Sequence, residues 1–154
     1  MSDEAYIAAK GVYKDFGAFF QEVVSEYGEE MAMELHRRAF HKKGKGFAKM
    51  ILENFGSATD VEAIASIFMK SNISKGTATE QIVESSYRVM HRNPECPRYF
   101  GFKEAGLSNE VIESYCNICE EAMTPHFASV GLKYEISDFS APDGKCEEII
   151  SKLN

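Results

Sequence analysis

The sequence predicts an α+β fold in which a helix-rich N-terminal half packs on a small antiparallel sheet of about three strands. Apolar residues recur every three or four positions up to Phe68, whereas apolar and polar residues alternate from Val83 to Arg92 and again from residue 132 onwards. Pro142, Asp143 and Gly144 separate the last two extended segments. Because proline presets one turn dihedral and glycine accepts positive φ, they favour a hairpin there. Helices followed mainly by strands suit a sheet with helices on one face.

The first half is predicted to hold four helices, over residues 12–27, 29–40, 47–55 and about 60–68. The first has an apolar stripe that Gly28 can terminate. Acidic residues open the second, where the helix dipole favours them, and a lysine- and glycine-rich break over 41–46 separates it from the third. The fourth starts at the capping-box spacing Thr59 to Glu62.

One strand is predicted over about 83–92, ending near Pro94 and Pro97, because proline gives no amide hydrogen to a sheet. It places Tyr87, Val89 and His91 on one face. A fifth helix starts near Ser108, kinks or restarts at Pro125, and ends at Gly131. The last two strands, from Leu132 to Ser137 and from Cys146 to Leu153, should pair antiparallel.

The length and net charge of the chain exclude several classes of protein. The 154 residues fit a single domain spanning 1–154, and 44% hydrophobic content is typical of folded chains. A net charge of -7 disfavours binding to nucleic acid or anionic membranes, whose affinity comes from neutralising phosphates. The sequence has neither a basic, apolar leader nor an uninterrupted apolar stretch long enough to span a bilayer. We therefore expect a cytoplasmic protein, either a monomer or a homodimer.

Four cysteines, Cys96, Cys116, Cys119 and Cys146, lie in the second half of the chain. They are too few for a disulfide scaffold. Cys116 and Cys119 share one helix face, so the four could in principle form a tetrahedral zinc site. Such a site usually shows two short-spaced pairs, and only one is present. Buried, apolar free cysteines are the more common arrangement.

His91 is the histidine of greatest interest, because alternation directs it inward at a strand end. There a neutral imidazole can act as a general base, hydrogen-bond donor or metal ligand. The competing interpretation is a buried histidine satisfied by a backbone carbonyl. His126 is a weaker candidate, and His36 and His41 are expected in solvent.

Basic residues form two groups. Six of them lie between His36 and Lys49 without an acidic residue, which indicates either an anion site or, more simply, a solvated helix end. Arg88, Arg92 and Arg98 flank the end of the predicted strand and the proline-rich segment. Because arginine forms two parallel hydrogen bonds with a carboxylate, one of them could bind a small carboxylic acid, and surface ion pairing is the alternative.

The order of these features resembles a known family. A helix over 29–39, Gly44, a helix near 60–68, a strand leading to Cys96-Pro97, a cysteine-bearing helix and a final Gly144-Lys145-Cys146 are similar to the L-2-amino-thiazoline-4-carboxylic acid hydrolase-like family, over about residues 29–150. The resemblance implies hydrolytic opening of a C–N bond in a small, cyclic, amidine-like carboxylate. The chain is also similar, more weakly, to vinyl-reductase-like ligand-binding domains.

The resemblance and the residues together give a candidate site. Cys96 or Cys119 would be the nucleophile, with His91 as proton-transfer partner, because an imidazole can lower a thiol pKa and protonate the departing nitrogen. Arg92, Arg98 and Tyr87 would bind the substrate, and no metal or cofactor is expected. The alternative is a non-enzymatic domain that senses a small molecule or a metal.

Overall fold

A computed structural model describes residues 3–56, 60–74, 80–85, 88–93, 95–140 and 144–153 of the chain. Within these ranges it contains five helices and four strands. In chain order they are α1 (Asp3–Tyr27), α2 (Glu29–Phe55), α3 (Val61–Ser74), β1 (Glu80–Ser85), β2 (Arg88–Asn93), α4 (Pro97–Glu104), α5 (Asn109–Ala128), β3 (Leu132–Ser140) and β4 (Lys145–Lys152). In these described ranges no helix is both long and apolar enough to cross a membrane.

The four strands form one antiparallel sheet in the order β1-β2-β4-β3. Directly opposed residues share a face, so His91, Glu148 and Ile136 lie in one row across the sheet. Residues of this face contact the helices, and we call it the inner face. The predicted α+β class and the antiparallel pairing of the last two strands are confirmed.

Helices α3 and α5 cover the inner face. Phe127 of α5 stacks on Tyr134 of β3, with ring centroids 4.7 Å apart. The Gln81 side chain on β1 donates a 3.0 Å hydrogen bond to Ser66 of α3. Helix α2 packs along α5, and α1 packs on α4, so two further helices enclose the core from outside.

Helix α2 is continuous from Glu29 to Phe55, so the predicted break over 41–46 is wrong. Glycine inside a helix costs about 1 kcal/mol relative to alanine, which is why two glycines suggested an interruption. Packing overrides this cost at Gly44. A Cβ atom there would lie 2.7 Å from Cδ2 of His126, so the missing side chain allows α5 to approach closely.

The single strand predicted over 83–92 is instead the hairpin of β1 and β2, in which Val83 opposes Val89. The sheet therefore has four strands rather than three. The sequence has no glycine or proline between the two strands, so the alternating pattern gives no sign that they are separate. Ser86 and Tyr87 lie outside the described residues.

Three features of the helices differ from the sequence prediction. Asp60 caps α3, its Oδ1 accepting a 2.9 Å hydrogen bond from the Ala63 amide, and Thr59 of the predicted capping box lies outside the described residues. The unpredicted helix α4 starts at Pro97, whose fixed φ suits a first helical position. Pro125 lies inside α5, which continues to Ala128, so the predicted alternative of a restart at this proline is wrong.

Candidate functional site

The four cysteines lie in one layer between the inner face and the helices. Cys96 caps α4, Cys116 and Cys119 lie on α5, and Cys146 lies on β4. All four are free thiols, three of them buried and Cys146 half-buried. The Cys96 amide donates a 2.7 Å hydrogen bond to the Gly144 carbonyl, which ties the start of α4 to the start of β4.

Arg98, in the first turn of α4, brings a positive charge into this layer. Its Cζ lies 5.4 Å from the ring centroid of Tyr13 and 5.9 Å from that of Tyr115. The Nε atom is inaccessible to solvent and has no hydrogen-bond partner, while the residue as a whole is only half-buried. In the described part of the chain, no carboxylate forms an ion pair with Arg98.

Burial sets the protonation of the thiols. It raises the pKa of Cys96, Cys119 and Cys146, and it raises that of Cys116 to about 12. The Arg98 guanidinium opposes this shift in all four, and its N–H groups face the sulfurs of Cys116 and Cys119. The net shift is upward, so the thiols are protonated at neutral pH, the form that is weakly nucleophilic.

Glu148 brings a negative charge to the same layer, and the sequence analysis did not select it. It lies half-buried on β4, where its Oε1 accepts a 3.0 Å hydrogen bond from the Tyr134 hydroxyl. Its charge adds to burial in raising the pKa of Cys96, Cys119 and Cys146. A charged residue inside an alternating, inward-facing strand is the signal that could have identified it.

His91 points inward, as alternation predicts, and only 2% of its surface is exposed. It lies opposite Glu148 and faces α3, where it interacts with the Ala65 backbone. Burial lowers its pKa, and Glu148 and Ala65 act in the opposite direction. The imidazole is therefore neutral at physiological pH. The fold thus brings His91 and the thiols to one face of the sheet, with Glu148 between them.

Arg92, the other described residue that was predicted to bind substrate, does not join this group. Arg92 lies on the opposite face of the sheet, where its Nε donates a 2.9 Å hydrogen bond to Glu147 Oε1 and 44% of its side chain is exposed. Tyr87 lies outside the described residues. Of the candidate carboxylate ligands that the structure describes, only Arg98 lies in the layer with the thiols.

His36, expected in solvent, is buried instead with 5% of its surface exposed. Its ring stacks on Tyr115 at a centroid distance of 3.4 Å. Burial, with help from the Arg98 and Lys43 charges, lowers its pKa to about 3. The polar run around it suggested a surface position, but His36 belongs to the stripe of α2 residues, with Phe40 and Gly44, that is buried against α5.

A surface groove and the search for metal-binding groups complete the description of the candidate sites. A shallow groove of about 420 Å³ on α5 is lined by Asn117, Glu120, Glu121, Thr124 and Pro125, with neither thiol nor imidazole. Among the described residues, no group of three or more histidine, cysteine or acidic side chains is arranged to hold a metal ion. The four cysteines, all of them described, therefore do not belong to such a group.

Comparison with known proteins gives no family. No protein-family profile matches the chain, and no curated protein matches it. Among solved structures, the chain is similar to a variant of an Fe(II) unliganded H-NOX protein from K. algicida, with a TM-score of 0.35 and 12% identity, over 92% of this chain and 96% of that one. A likeness at this level identifies neither family nor function. The resemblance to the hydrolase-like family stays a prediction.

Proposed function

We propose that this protein binds a small molecule bearing a carboxylate, with Arg98 as its anchor, and acts as a ligand-binding domain. One observation carries the proposal: within the described residues, the guanidinium has no carboxylate partner and its buried Nε has no hydrogen bond. A charge without a partner is costly in an apolar interior. Arginine meets a carboxylate through two parallel hydrogen bonds, so such a ligand would supply the missing partner.

The surroundings of Arg98 support an anionic ligand. The rings of Tyr13 and Tyr115 restrict the guanidinium from two sides, which pre-orients its donors. The neighbouring thiols are neutral, so they neither compensate the positive charge nor repel an anion. Glu148 already accepts a hydrogen bond from Tyr134. Because part of Arg98 is accessible to solvent, a ligand has a direction of approach.

The second candidate is the predicted hydrolase. Cys116 and Cys119 face the guanidinium, so a carboxylate held by Arg98 would bring the rest of a small ring beside two thiols. The hydrolase is placed second because the thiols are protonated and a protonated thiol is a weak nucleophile. Burial raises the pKa of both candidate nucleophiles, Cys96 and Cys119, so each is a protonated thiol at neutral pH. Hydrolysis would therefore require substrate binding to lower a thiol pKa substantially.

The test is a thermal-shift and calorimetric titration with acetate, benzoate and 2-amino-thiazoline-4-carboxylate. We expect a carboxylate to stabilise the native protein but not the Arg98→Met variant, since loss of a charge-assisted pair lowers affinity about 10- to 150-fold. Arg92→Met is the matched control, because it removes an arginine from the opposite face. If Arg98→Met does not fold, Arg98→Lys keeps the charge without the paired donors and should bind weakly.

Two results would overturn the binding proposal: no stabilisation by any of the three carboxylates, or equal stabilisation of the Arg98 and Arg92 variants. The same samples distinguish the two candidates. Release of the ring-opened product from the thiazoline carboxylate, abolished in a Cys96→Ala, Cys119→Ala variant, would favour the hydrolase. Binding without product favours the ligand-binding domain.

A further inference from the structure

A second pair of chemistry-bearing side chains lies on the surface, away from the thiol layer. His41 of α2 and His126 in the last turn of α5 bring Nδ1 and Nε2 to 3.2 Å from each other. Their rings are nearly perpendicular, with centroids 5.4 Å apart. The two histidines are 85 residues apart in sequence, so the pair exists only because α2 packs along α5.

Gly44 fixes one member of the pair. His126 lies over this glycine, and a Cβ atom at position 44 would lie 2.7 Å from its Cδ2 and 3.2 Å from its Cβ. Contact with the α2 backbone therefore holds the His126 ring in place with Nε2 directed at His41. His41 is exposed, so packing restrains its ring less than that of His126. The geometry gives one fixed and one adjustable imidazole.

The spacing of the two nitrogens matches that of ligands on one metal ion. Zinc binds imidazole nitrogen at 2.0–2.1 Å, so two tetrahedral ligands are about 3.4 Å apart, close to the 3.2 Å between His41 and His126. We infer that His41 and His126 form a two-imidazole site for a borderline divalent ion such as zinc, with water completing the coordination shell. This site is independent of the ligand proposed for Arg98.

Protonation at the pair suits a metal. Partial burial, His41 and Lys45 lower the pKa of His126, so this ring is neutral at physiological pH. A hydrogen bond between the two facing nitrogens requires that one of them carries the hydrogen. A metal that takes both lone pairs displaces this hydrogen from the facing nitrogen, and the other nitrogen of the same ring can accept it.

The positive charge of Lys45 should lower the affinity of this site for a metal ion, and replacing it therefore tests the site. Its charge already disfavours a proton on His126 and must also oppose a bound dication. We expect Lys45→Gln to tighten zinc binding by about 3-fold at physiological ionic strength, where charges within a Debye length of 8 Å still interact. A site built from the buried thiols would not respond to this exposed lysine.

The experiment is a calorimetric titration of the full-length, chelator-stripped, reduced protein with zinc chloride, combined with NMR of the histidine side-chain nitrogens. We expect zinc to shift the His41 and His126 signals. His41→Gln and His126→Gln should each weaken binding at least about 10-fold, since each leaves one of two ligands. His41 is exposed, so His41→Gln keeps the test valid even if the His126 variant does not fold.

Either of two results would refute the site. The first is absence of zinc binding up to about 1 mM. The second is unchanged affinity in the His41→Gln, His126→Gln double variant, which would assign the zinc to other ligands.

Discussion

His36 should make the stability of this protein strongly dependent on pH. The folded ring has a pKa of about 3 against 6.5 for an exposed histidine. Between these values the unfolded chain takes up a proton that the folded chain refuses, so the free energy of unfolding falls as pH falls below 6.5. The stabilising difference is fully present above pH 6.5 and is lost toward pH 3.

The magnitude follows from the same two pKa values. Each pH unit in this window is worth about 1.4 kcal/mol, so acidification from about pH 7.5 to 4.5 should remove about 2.7 kcal/mol through His36 alone. Allowing for solvent screening at the ring edge, we expect about 2 kcal/mol. His91, whose pKa is lowered in the same direction, adds to the loss in every variant that retains it.

The perturbation is His36→Phe, which keeps an aromatic ring against Tyr115 and removes the titrating group. Urea unfolding at the two pH values is followed by far-UV circular dichroism, because the chain has no tryptophan. The variant should lose about 2 kcal/mol less than the native protein over this interval. Lys42→Gln, an exposed change on the same helix that does not titrate in this interval, should alter the loss by less than about 0.5 kcal/mol. An equal loss in His36→Phe and native protein would refute the reasoning.

Three further predictions concern packing and the thiols. Gly44→Ala should lower the free energy of unfolding by about 1–2 kcal/mol, because the added Cβ would clash with His126. Gly46→Ala has open space around it and should raise the free energy of unfolding by about 0.5–1 kcal/mol. Both values are measured by urea unfolding, and a change of the same sign in the two variants would contradict the close approach of α5 to Gly44. Gly101→Ala should lower the free energy of unfolding by about 1–3 kcal/mol, because its Cβ would lie 2.6 Å from the backbone of α1. Gly11→Ala, with open space around it, should leave the stability unchanged or raise it. An unchanged stability of Gly101→Ala would disprove the contact between α4 and α1 at this glycine. The four free thiols should react with a disulfide reagent at neutral pH much more slowly than in urea-unfolded protein, and a fast-reacting thiol in native protein would instead support the nucleophile of the hydrolase.

The parts of the fold that depend on local pattern could be predicted from the sequence. Periodicity identified α1 and α5, and the Pro-Asp-Gly segment indicated the pairing of β3 with β4. The continuity of α2 could not be predicted, because Gly44 is favoured there only by the packing of His126. The division into β1 and β2 was missed for a different reason: Ser86 and Tyr87, which separate the two strands in sequence, are not residue types that interrupt the alternation.

The candidate site divides in the same way. Alternation predicted the inward direction of His91, which depends only on the period of a strand. The distinction between Arg98 and Arg92 depends on which element each occupies, and α4 was not predicted. His36 was placed in solvent because polar neighbours surround it in sequence, while its burial results from the tertiary contact with Tyr115. The sequence therefore indicated which residue types are chemically suited to a site, whereas tertiary packing determines which of them lie close together.

The order of the sheet also bears on how the molecule folds. Strand β4 follows the other three strands in the chain and yet lies in the middle, between β2 and β3. Until it is in place, the β1–β2 hairpin and β3 have no hydrogen-bonded connection, and the layer that holds Glu148 and Cys146 does not exist. We therefore expect the helices to become ordered earlier than the sheet, and a chain cut before Lys145 to leave two exposed strand edges that are prone to aggregate.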